Sequence, residues 1–396
     1  MMLANMVAPV GTATHEDLVE RARELIPLLR ERAATIASAR DVPLDIVETI
    51  DKAGITGSVR PARWGGSELG IRTLCQTTHE LAKGCASTAW CTAVESAHAW
   101  VLCHFSEQAQ ADFFESDPNP HLAGIFAPMG QAKAVDGGFR ISGRWPWSSG
   151  VAHCGWAMVG SFIEGQSPPE LNVFLLGPGD FTWENTWHNV GLEGTGSHDT
   201  VVQDVFVPAY RVLAWECIRE GGGPGVELNQ SNLYRVPFAP AMFALLGMLA
   251  LGAVRGSYEY FRDWTKTRTS GFTGLAAASH PALQVGLTEA AAEIDAAELL
   301  LMRCLDRVED PESLDYSLRV ECKRDAVYAV QMLVRAIDRL MTIGSARAFF
   351  GGNPMQRTWR DIHALAAHYN MNFQVAGELF GRHELGLEPS PKDHFY

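Results

Sequence analysis

Three side chains of this sequence belong to types that hold or move a proton: His98 in VESAHAW, Ser149 in WPWSSG and His368 in RDIHALAAH. An imidazole donates or accepts a proton near neutral pH, and a serine hydroxyl both donates and accepts hydrogen bonds. Each also has an ordinary structural interpretation, as a stabilising helix histidine or as a Ser-Ser-Gly turn. These residues therefore indicate acid–base chemistry only if the fold brings them together.

Motifs for metals and nucleotides are missing from the sequence. The eight cysteines include no CxxC pair, and His363 and His368 lie five residues apart rather than the four of a helical zinc pair. No GxGxxG follows a strand and opens a helix, and no GxxxxGK[ST] occurs. We expect no metal site, and free thiols that are typical of a reducing cytoplasm.

Two regions with helical spacing of apolar residues flank a region with a different sequence pattern. Helical spacing of apolar residues predicts helices over 15–40, 43–54 and 71–116, with two helices in the last range. From 121 to 215 short apolar runs alternate with Gly and Pro, and the Asp-Gly-Gly at 136–138 is a hairpin signal. This middle region predicts an antiparallel β unit of the sandwich or barrel type.

Helical spacing returns after the glycine-rich segment at 221–225. Short connections predict antiparallel neighbours, as in a four-helix bundle. The predicted bundle helices cover 238–268, 281–307, 313–344 and 358–383. We therefore predict an α+β chain with an N-terminal helical domain at 1–120, a central β domain at 121–225 and a C-terminal helical bundle at 226–396.

Composition excludes several classes of partner. The 396 residues are 47% hydrophobic and carry a formal net charge of −14, so neither nucleic acid nor an anionic membrane surface is an expected partner. Residues 236–254 are uncharged, but Pro237 and Pro240 near the start of this stretch favour a buried helix over a membrane span. The opening residues lack the features of a signal peptide, which favours a cytoplasmic protein.

Four stretches in this order carry a resemblance that extends from about residue 15 to 385. They are RPARWGG (60–66), GGFRISGRWPWSSG (137–150), GLEGTGSHDTVVQDVFVP (191–208) and FFGGNPMQRTWRD (349–361). Together they resemble the acyl-CoA dehydrogenase superfamily and imply its fold. Within it, the chain is most similar to the oxygenase components of two-component flavin monooxygenases, such as p-hydroxyphenylacetate 3-hydroxylase.

The resemblance implies an activity. Such enzymes receive reduced FMN or FAD from a separate NAD(P)H-dependent reductase, add O2 to form a C4a-hydroperoxyflavin, and hydroxylate a small aromatic, phenol-like substrate. It also implies a homotetramer. The sequence leaves the substrate, the choice between FMN and FAD, and the reductase open.

A missing carboxylate separates an oxygenase from a dehydrogenase of the same fold. The dehydrogenases of the superfamily use a glutamate base from the first bundle helix or from the loop after the RD motif. Residues 231–257 contain no Asp or Glu, and none follows Asp361 until Glu378. Because Ala and Asn cannot accept a proton near neutral pH, this absence favours the oxygenase.

The resemblance assigns four residues to the flavin ring. His368 stands in the RD…H segment, where it is expected to face the flavin and manage the proton of the peroxide. Ser149 is expected to lie near flavin N5, with Ser148 beside it, in place of the Thr-Asn pair of the dehydrogenases. Trp147 is expected to wall the ring.

Further residues are assigned to the substrate and to the flavin edge. His98 is expected to contact the phenol and favour the phenolate, with Trp90 and Trp100 lining the same cavity. Phe126 and Pro128, in GIFAP, match the segment whose backbone binds the isoalloxazine edge in the family.

The remaining assignments concern the flavin tail and a loop. Arg268 resembles the arginine that reaches the flavin phosphate across a subunit boundary. Gly351 and Gly352 resemble the turn that lets a neighbour's flavin tail approach closely. Thr195 and Ser197 are minor candidates, on a loop that runs towards the active site.

Three alternatives stay open at this point. One is an N- or S-oxygenase of the same fold, acting on an amine or a thiophene-type substrate. The second is an acyl-CoA dehydrogenase or oxidase whose base has moved elsewhere. The third is a flavin-free member of the superfamily that serves as a structural subunit.

Overall fold

A computed structural model describes residues 13–269 and 274–390; the opening segment considered above for a signal peptide, residues 1–12, lies outside them. The α-helices of the described residues are α1 (His15–Glu24), α2 (Ile26–Ala39), α3 (Leu44–Lys52), α4 (Ile71–Gly84), α5 (Ala86–Leu102), α6 (Glu107–Phe114), α7 (Trp215–Glu220), α8 (Pro224–Leu228), α9 (Phe238–Thr267), α10 (Pro281–Val308), α11 (Tyr316–Gly344), α12 (Pro354–Ala366) and α13 (Phe373–Glu384). The strands are β1 (Leu122–Val135), β2 (Gly138–Ser148), β3 (Trp156–Ile163), β4 (Leu171–Leu176), β5 (Thr182–Glu184), β6 (His198–Pro208) and β7 (Val212–Ala214).

Helix α5 is the most enclosed element of the N-terminal region. Every residue from Ala86 to Leu102 is buried, because the helix packs against α4, the start of β1 and the long helix α9. Its small side chains allow this close approach from all sides. The predicted pair of helices over 71–116 is in fact three, since Ser106 caps a separate α6.

The strands form one seven-stranded sheet in the order β5-β6-β2-β1-β3-β4-β7. The sheet differs from the predicted antiparallel sandwich or barrel, because β1 and β3 pair in parallel. After β2 returns along one edge of β1, residues 149–155 carry the chain past the start of β1 to its other edge. There Leu122 pairs with Trp156. This crossing places the end of β2 next to the beginning of β1.

The fourth predicted bundle helix is two helices with a break between them. Helix α12 ends at Ala366, and α13 begins at Phe373. The side chain of His368 accepts the Asn370 N–H, and that of Asn372 accepts the Gln374 N–H. Such side-chain caps satisfy backbone donors that a continuous helix would bond internally. The prediction of one helix over 358–383 is therefore wrong at the position of His368.

Helix α9 is the described helix that is long and apolar enough to cross a membrane by length and composition. In its most apolar 18-residue window, 94% of the residues are buried inside the fold. It packs against α4, α5, α10, α11 and α12. The prediction that residues 236–254 form a buried helix is thus confirmed.

Candidate active site

A row of hydrogen-bonded side chains joins α5, the end of β2 and the loop before β6. Trp90 Nε1–H donates to Ser149 Oγ at 2.9 Å, and Ser149 Oγ lies 2.8 Å from Ser197 Oγ. Ser197 Oγ lies 2.7 Å from Thr195 Oγ1, whose hydrogen is donated to the Leu192 carbonyl oxygen. Because each hydroxyl has one hydrogen, the donors run in one direction from the indole to Thr195. Ser149 therefore uses its hydrogen within the row and offers only acceptor capacity to a ligand.

The loop that supplies Thr195 and Ser197 is held by helix α12. Asp361 Oδ1 accepts the Leu192 N–H at 2.6 Å, and burial raises the pKa of Asp361 to about 6. The neighbouring Arg360 donates to Glu193 Oε2 at 2.8 Å and to the Val190 carbonyl oxygen. The RD motif of the sequence thus fixes the loop of the hydroxyl row.

His368 lies in the break between α12 and α13, against the indole of Trp90. The two ring centroids are 5.6 Å apart at an interplanar angle of 65°. His368 keeps accessible surface, yet burial among protein atoms lowers its pKa to about 4, a combination expected of a ring that lines a cleft. Its Nδ1 accepts the Asn370 N–H at 3.2 Å, so the ring proton is on Nε2. At neutral pH His368 is an uncharged hydrogen-bond donor.

His98 has the opposite tautomer. Its Nδ1 lies 3.0 Å from the Leu122 carbonyl oxygen, which can only accept, so the ring proton is on Nδ1. Burial lowers the pKa of His98 to about 4, and its ring packs edge-on against Phe126 at 5.6 Å. A Cβ on Gly124 would lie 2.9 Å from Nε2, so glycine leaves this nitrogen room. His98 is an uncharged acceptor at Nε2, which has no hydrogen-bond partner among the described residues.

A strained turn ends strand β2. Trp147 has φ +69°, in the left-handed region, and is 60% exposed. The pairing of β2 with β6 slips between Trp145 and Ser148, as at a β-bulge. Such backbone costs about 1–3 kcal/mol and concentrates at functional sites. The slip turns Trp147 outward and buries Ser148, which accepts a hydrogen bond from Thr200 Oγ1 at 2.7 Å.

Five ionisable side chains form a buried group behind this turn, called here the Glu95 cluster. Glu95, on α5, lies 2.7 Å from His121 Nδ1 and 2.9 Å from His153 Nε2. His121 Nε2 lies 3.1 Å from Asp51 Oδ2, and His153 Nδ1 lies 3.6 Å from Asp41 Oδ1. One carboxylate thus bridges two imidazoles, and each imidazole has a second carboxylate behind it.

Burial acts against the charged forms of Glu95, His121 and His153, but charge pairing outweighs it. The His153 charge and the hydrogen bonds of both imidazoles lower the pKa of Glu95 to about 2. Hydrogen bonds to Asp51 and Glu95 raise the pKa of His121 to about 10, and the Glu95 charge and Asp41 raise that of His153 to about 9. Glu95 is therefore a poor base for a dehydrogenase.

Two members of the Glu95 cluster and the adjacent Cys154 are potential metal ligands. Ligand atoms of Glu95, His153 and Cys154 lie within 4.8 Å of one another. A histidine protonated on both nitrogens has no lone pair for a metal, and burial raises the pKa of Cys154 well above its usual range. The chemistry of this group favours an ion pair.

Two predicted residues lie apart from these groups. Trp100 is fully buried, donates its Nε1–H to the Leu233 carbonyl oxygen and stacks on Phe238, so other side chains separate it from any cleft. Pro128 is exposed on β1. By contrast, Phe126 is half-buried beside His98. The structure thus brings together Trp90, Ser149 and His368, and places His98 with Phe126.

Comparison with known proteins identifies the family. Residues 12–114 match the N-terminal domain family of acyl-CoA dehydrogenase, and residues 244–373 match its C-terminal domain family. The chain is 32% identical over 378 residues to the flavin-dependent monooxygenase oxygenase subunit HsaA of Rhodococcus jostii, covering 93% of this chain and 98% of the relative. It is 33% identical over 398 residues to the oxygenase component of an FADH2-dependent resorcinol hydroxylase from Rhizobium sp., covering 96% and 97%. The chain belongs to the oxygenase subunits of flavin-dependent monooxygenases.

The solved structures agree with this assignment of the oxygenase. XiaF from Streptomyces sp., in complex with FADH2 and glycerol, superposes with a TM-score of 0.88 at 29% identity, covering 95% of this chain and 96% of that structure. The p-hydroxyphenylacetate 3-hydroxylase oxygenase component of Acinetobacter baumannii is 25% identical over 386 residues, covering 94% and 90%. The predicted resemblance, the acyl-CoA dehydrogenase-like fold and the enzyme class are confirmed.

One end of the oxygenase bundle fits the anionic tail of a flavin. Arg268 follows α9 and stacks at 3.9 Å on Trp264, and its buried Nη1 has no hydrogen-bond partner within residues 13–269 and 274–390. Burial and then the charge of Arg347 lower the pKa of Arg268. Two nearby guanidinium groups with an unpaired N–H suit a phosphate. Gly351 and Gly352 follow on an exposed turn, with nothing within 4 Å of an added Cβ.

Sequence reasoning missed the Glu95 cluster of the oxygenase. Its members are far apart in the chain, and His121 had no motif to support it. One signal was present: Glu95 is the only charged residue of α5, a helix that is buried over its whole length. A lone carboxylate in such a helix requires a partner, because burying an unpaired charge is costly.

Proposed function

We propose that this oxygenase subunit hydroxylates a small aromatic substrate that carries a phenolic hydroxyl, using O2 and reduced FAD or FMN from a separate NAD(P)H-dependent reductase. The observation that carries the proposal is a pair of uncharged histidines with opposite tautomers: His368 lies against Trp90, the partner of Ser149, and His98 lies against Phe126. The names of the relatives support it, since they include a resorcinol hydroxylase and a p-hydroxyphenylacetate 3-hydroxylase.

His98 suits the substrate side. Its unpaired Nε2 is an acceptor at neutral pH, so it accepts a hydrogen bond from a phenol and draws the proton away from oxygen. This makes the aromatic ring richer in electrons and more reactive towards an electrophilic oxygen. The aromatic face of Phe126 beside His98 gives the substrate an apolar wall.

Ser149 and His368 suit the flavin side. The reduced flavin, when bound, supplies the two electrons for O2, so that one oxygen atom enters the substrate and the other leaves as water. Ser149 Oγ has a lone pair free to accept from an N–H of the ring system. His368 Nε2–H donates to an oxygen atom held in the cleft. When the flavin is bound, both groups would hold protons in place beside it.

The test is product analysis with the purified chain, a flavin reductase and NADH. Resorcinol and p-hydroxyphenylacetate are supplied in turn, with FAD or with FMN, and mass spectrometry follows the gain of one oxygen atom. Chemically reduced flavin in place of the reductase is the control that separates flavin transfer from catalysis. Consumption of O2 that yields only hydrogen peroxide with every phenol would contradict the proposal.

The same assay separates the alternatives that the fold allows. A thioether substrate has no proton to donate to His98, so S-oxygenation gains nothing from its acceptor nitrogen, whereas an amine N–H does. Oxygen transfer to an amine or a sulfide, with none to a phenol, would replace the proposal by N- or S-oxygenation. Reduction of a dye by an acyl-CoA thioester would instead indicate a dehydrogenase.

We also propose a cytoplasmic homotetramer. The exposed turn at Gly351 and Gly352, flanked by exposed Phe349 and Phe350, supports a contact between copies near the flavin tail. The eight unpaired cysteines support a reducing compartment. Light scattering of the purified protein and fractionation of the cells that make it test the two statements, and a monomer or a secreted protein would contradict them.

A further inference from the structure

The Glu95 cluster touches the substrate side of the site through His121. The carbonyl oxygen of Leu122 accepts the hydrogen bond that holds His98. His121, the residue before Leu122, lies with its Nδ1 2.7 Å from Glu95 Oε2. Glu95 and His98 lie three residues apart on the buried helix α5. The hydrogen bonds therefore close a ring that runs from the helix to the start of β1 and back. Rotation or displacement of His98 has to break this ring.

The same cluster touches the flavin side of the site through His153. The residues between Ser148 and His153 form a tight turn, in which Val151 N–H donates to the Ser148 carbonyl oxygen and His153 N–H donates to that of Gly150. Gly150 has φ +71°, and a Cβ there would overlap Glu95 Oε1. The turn that carries Ser149 thus rests directly on the Glu95 carboxylate.

We propose that Glu95 is a positioning residue that sets the His98 imidazole and the Ser149 hydroxyl relative to each other, with His121 as the arm to the first and His153 as the arm to the second. The inference rests on the proposed function, because it assigns His98 to the substrate and Ser149 to the flavin. A single carboxylate on a fully buried helix is suited to this task, since both of its oxygens are occupied and it has little room to move.

The two arms allow a matched experiment. His121→Gln and His153→Gln make the same change at two imidazoles that share one carboxylate. Two affinities are measured for each variant: that for resorcinol by equilibrium dialysis, and that for reduced FAD by anaerobic fluorescence titration. We expect His121→Gln to weaken resorcinol binding about tenfold and to leave the FAD affinity within about twofold. His153→Gln should weaken FAD binding about tenfold and leave the resorcinol affinity within about twofold. Glu95→Gln should weaken both.

A double-mutant cycle separates positioning from a general structural effect. If His121 acts on the substrate through His98, then His121→Gln added to His98→Ala should change the resorcinol affinity by less than about twofold. Thermal unfolding of each variant is recorded beside the affinities. Equal loss of both affinities in the two histidine variants, or loss of thermal stability alone, would overturn the proposal.

Crystal structures of the variants give a result that does not depend on the reaction. His121→Gln should displace the His98 ring and leave Ser149 in place, and His153→Gln should do the opposite. If neither ring nor hydroxyl moves, the positioning role is wrong. If wild-type protein binds neither resorcinol nor reduced FAD, the proposed function fails, while these displacements still decide the role of Glu95.

Milder substitutions keep the test available if the histidine variants do not fold. Asp51→Asn and Asp41→Asn remove the outer carboxylate of each arm and leave both imidazoles in the cluster. Asp51→Asn should weaken resorcinol binding and Asp41→Asn should weaken binding of reduced FAD, each by about two- to threefold. An unchanged resorcinol affinity in Asp51→Asn, together with an unmoved His98, would also overturn the proposal.

Discussion

Two pairs of histidines in this oxygenase have opposite charge states at neutral pH. Burial lowers the pKa of both His98 and His368 to about 4. Burial also acts against charge on His121 and His153, yet carboxylates raise the pKa of these two to about 10 and about 9. The difference lies in the partners: backbone groups hold the first pair, and Glu95 and two aspartates hold the second.

The comparison shows how one fold keeps the histidines of the candidate site uncharged while two other histidines of the same fold are charged. A neutral imidazole has one donor and one acceptor nitrogen, so the first pair offers hydrogen bonds of defined direction. A charged imidazole can donate from both nitrogens, so His121 joins Glu95 on α5 to Asp51 on α3. His153 bonds Glu95 through Nε2 and forms a longer ion pair with Asp41. Position relative to a carboxylate, rather than depth, decides which role a histidine takes.

The largest expected effect comes from removing the carboxylate that charges the second pair. Glu95→Ala leaves two buried imidazoles without their shared partner and should lower the free energy of unfolding by about 3–5 kcal/mol. Urea unfolding followed by circular dichroism measures it. Glu48→Ala, which breaks an exposed pair with Lys52, is the control and should change stability by under about 1 kcal/mol. Equal losses of unfolding free energy in the two variants would contradict a stabilising role of the Glu95 cluster.

The next effect comes from the first pair. His98→Ala removes the acceptor for the phenolic proton and should lower kcat/KM for the phenol by about 10²-fold, within the range of acid–base catalysis. The affinity for reduced flavin should stay within about twofold of the wild-type value. Steady-state kinetics and the anaerobic titration give the two numbers. A variant with normal turnover would exclude His98 from the reaction.

The pH dependence of stability sharpens the comparison. Because the folded pKa of His121 and His153 lies above the unfolded value near 6.5, their contribution is complete below pH 6.5 and disappears as pH rises through 9 to 10. Glu95, with its pKa lowered to about 2, contributes above pH 4.5 and loses this as pH falls towards 2. Thermal unfolding from pH 6 to 10 should show a falling midpoint.

Two variants test which histidines cause this fall in thermal stability with pH. His121→Gln should flatten the fall between pH 6.5 and 10, since it removes one of the groups that release a proton. His98→Ala should leave the fall unchanged, because His98 is neutral throughout this range. The opposite result would mean that the two pairs of histidines have been assigned the wrong charges.

The smallest expected effect concerns His368. Replacing it by Ala removes a donor at the edge of the cleft, so a larger share of the consumed O2 should appear as hydrogen peroxide rather than as product. Stability should fall by only about 1 kcal/mol, because the ring is accessible and its one hydrogen bond caps the Asn370 N–H. Peroxide and product are quantified in the same reaction, and unchanged coupling would count against this role.

Sequence patterns predicted the broad fold because the periodicity of apolar residues changes clearly near residues 121 and 225. They did not predict the parallel pairing of β1 with β3, which depends on where residues 149–155 cross and not on the pattern of either strand. They also missed the break before α13, because the alanines and His368 around it are compatible with a helix and only the side-chain caps interrupt it.

The candidate site divides in the same way. Motif resemblance pointed to Ser149, His368 and His98, whose residue types are informative at their positions. Trp100 was grouped with them because tryptophans near a predicted cavity look alike in sequence, yet its indole is enclosed by the core. The Glu95 cluster joins residues that lie 26 and 58 positions from Glu95, and such long-range pairing leaves no local pattern.

The hydroxyl row and its supports come from widely separated parts of the chain, from Trp90 to Asp361 and His368. Contacts of this range form only when the last helices have docked. The hydroxyl row and the histidine beside it are therefore complete only when the segment from Asp361 to His368 packs against the Leu192 loop and Trp90.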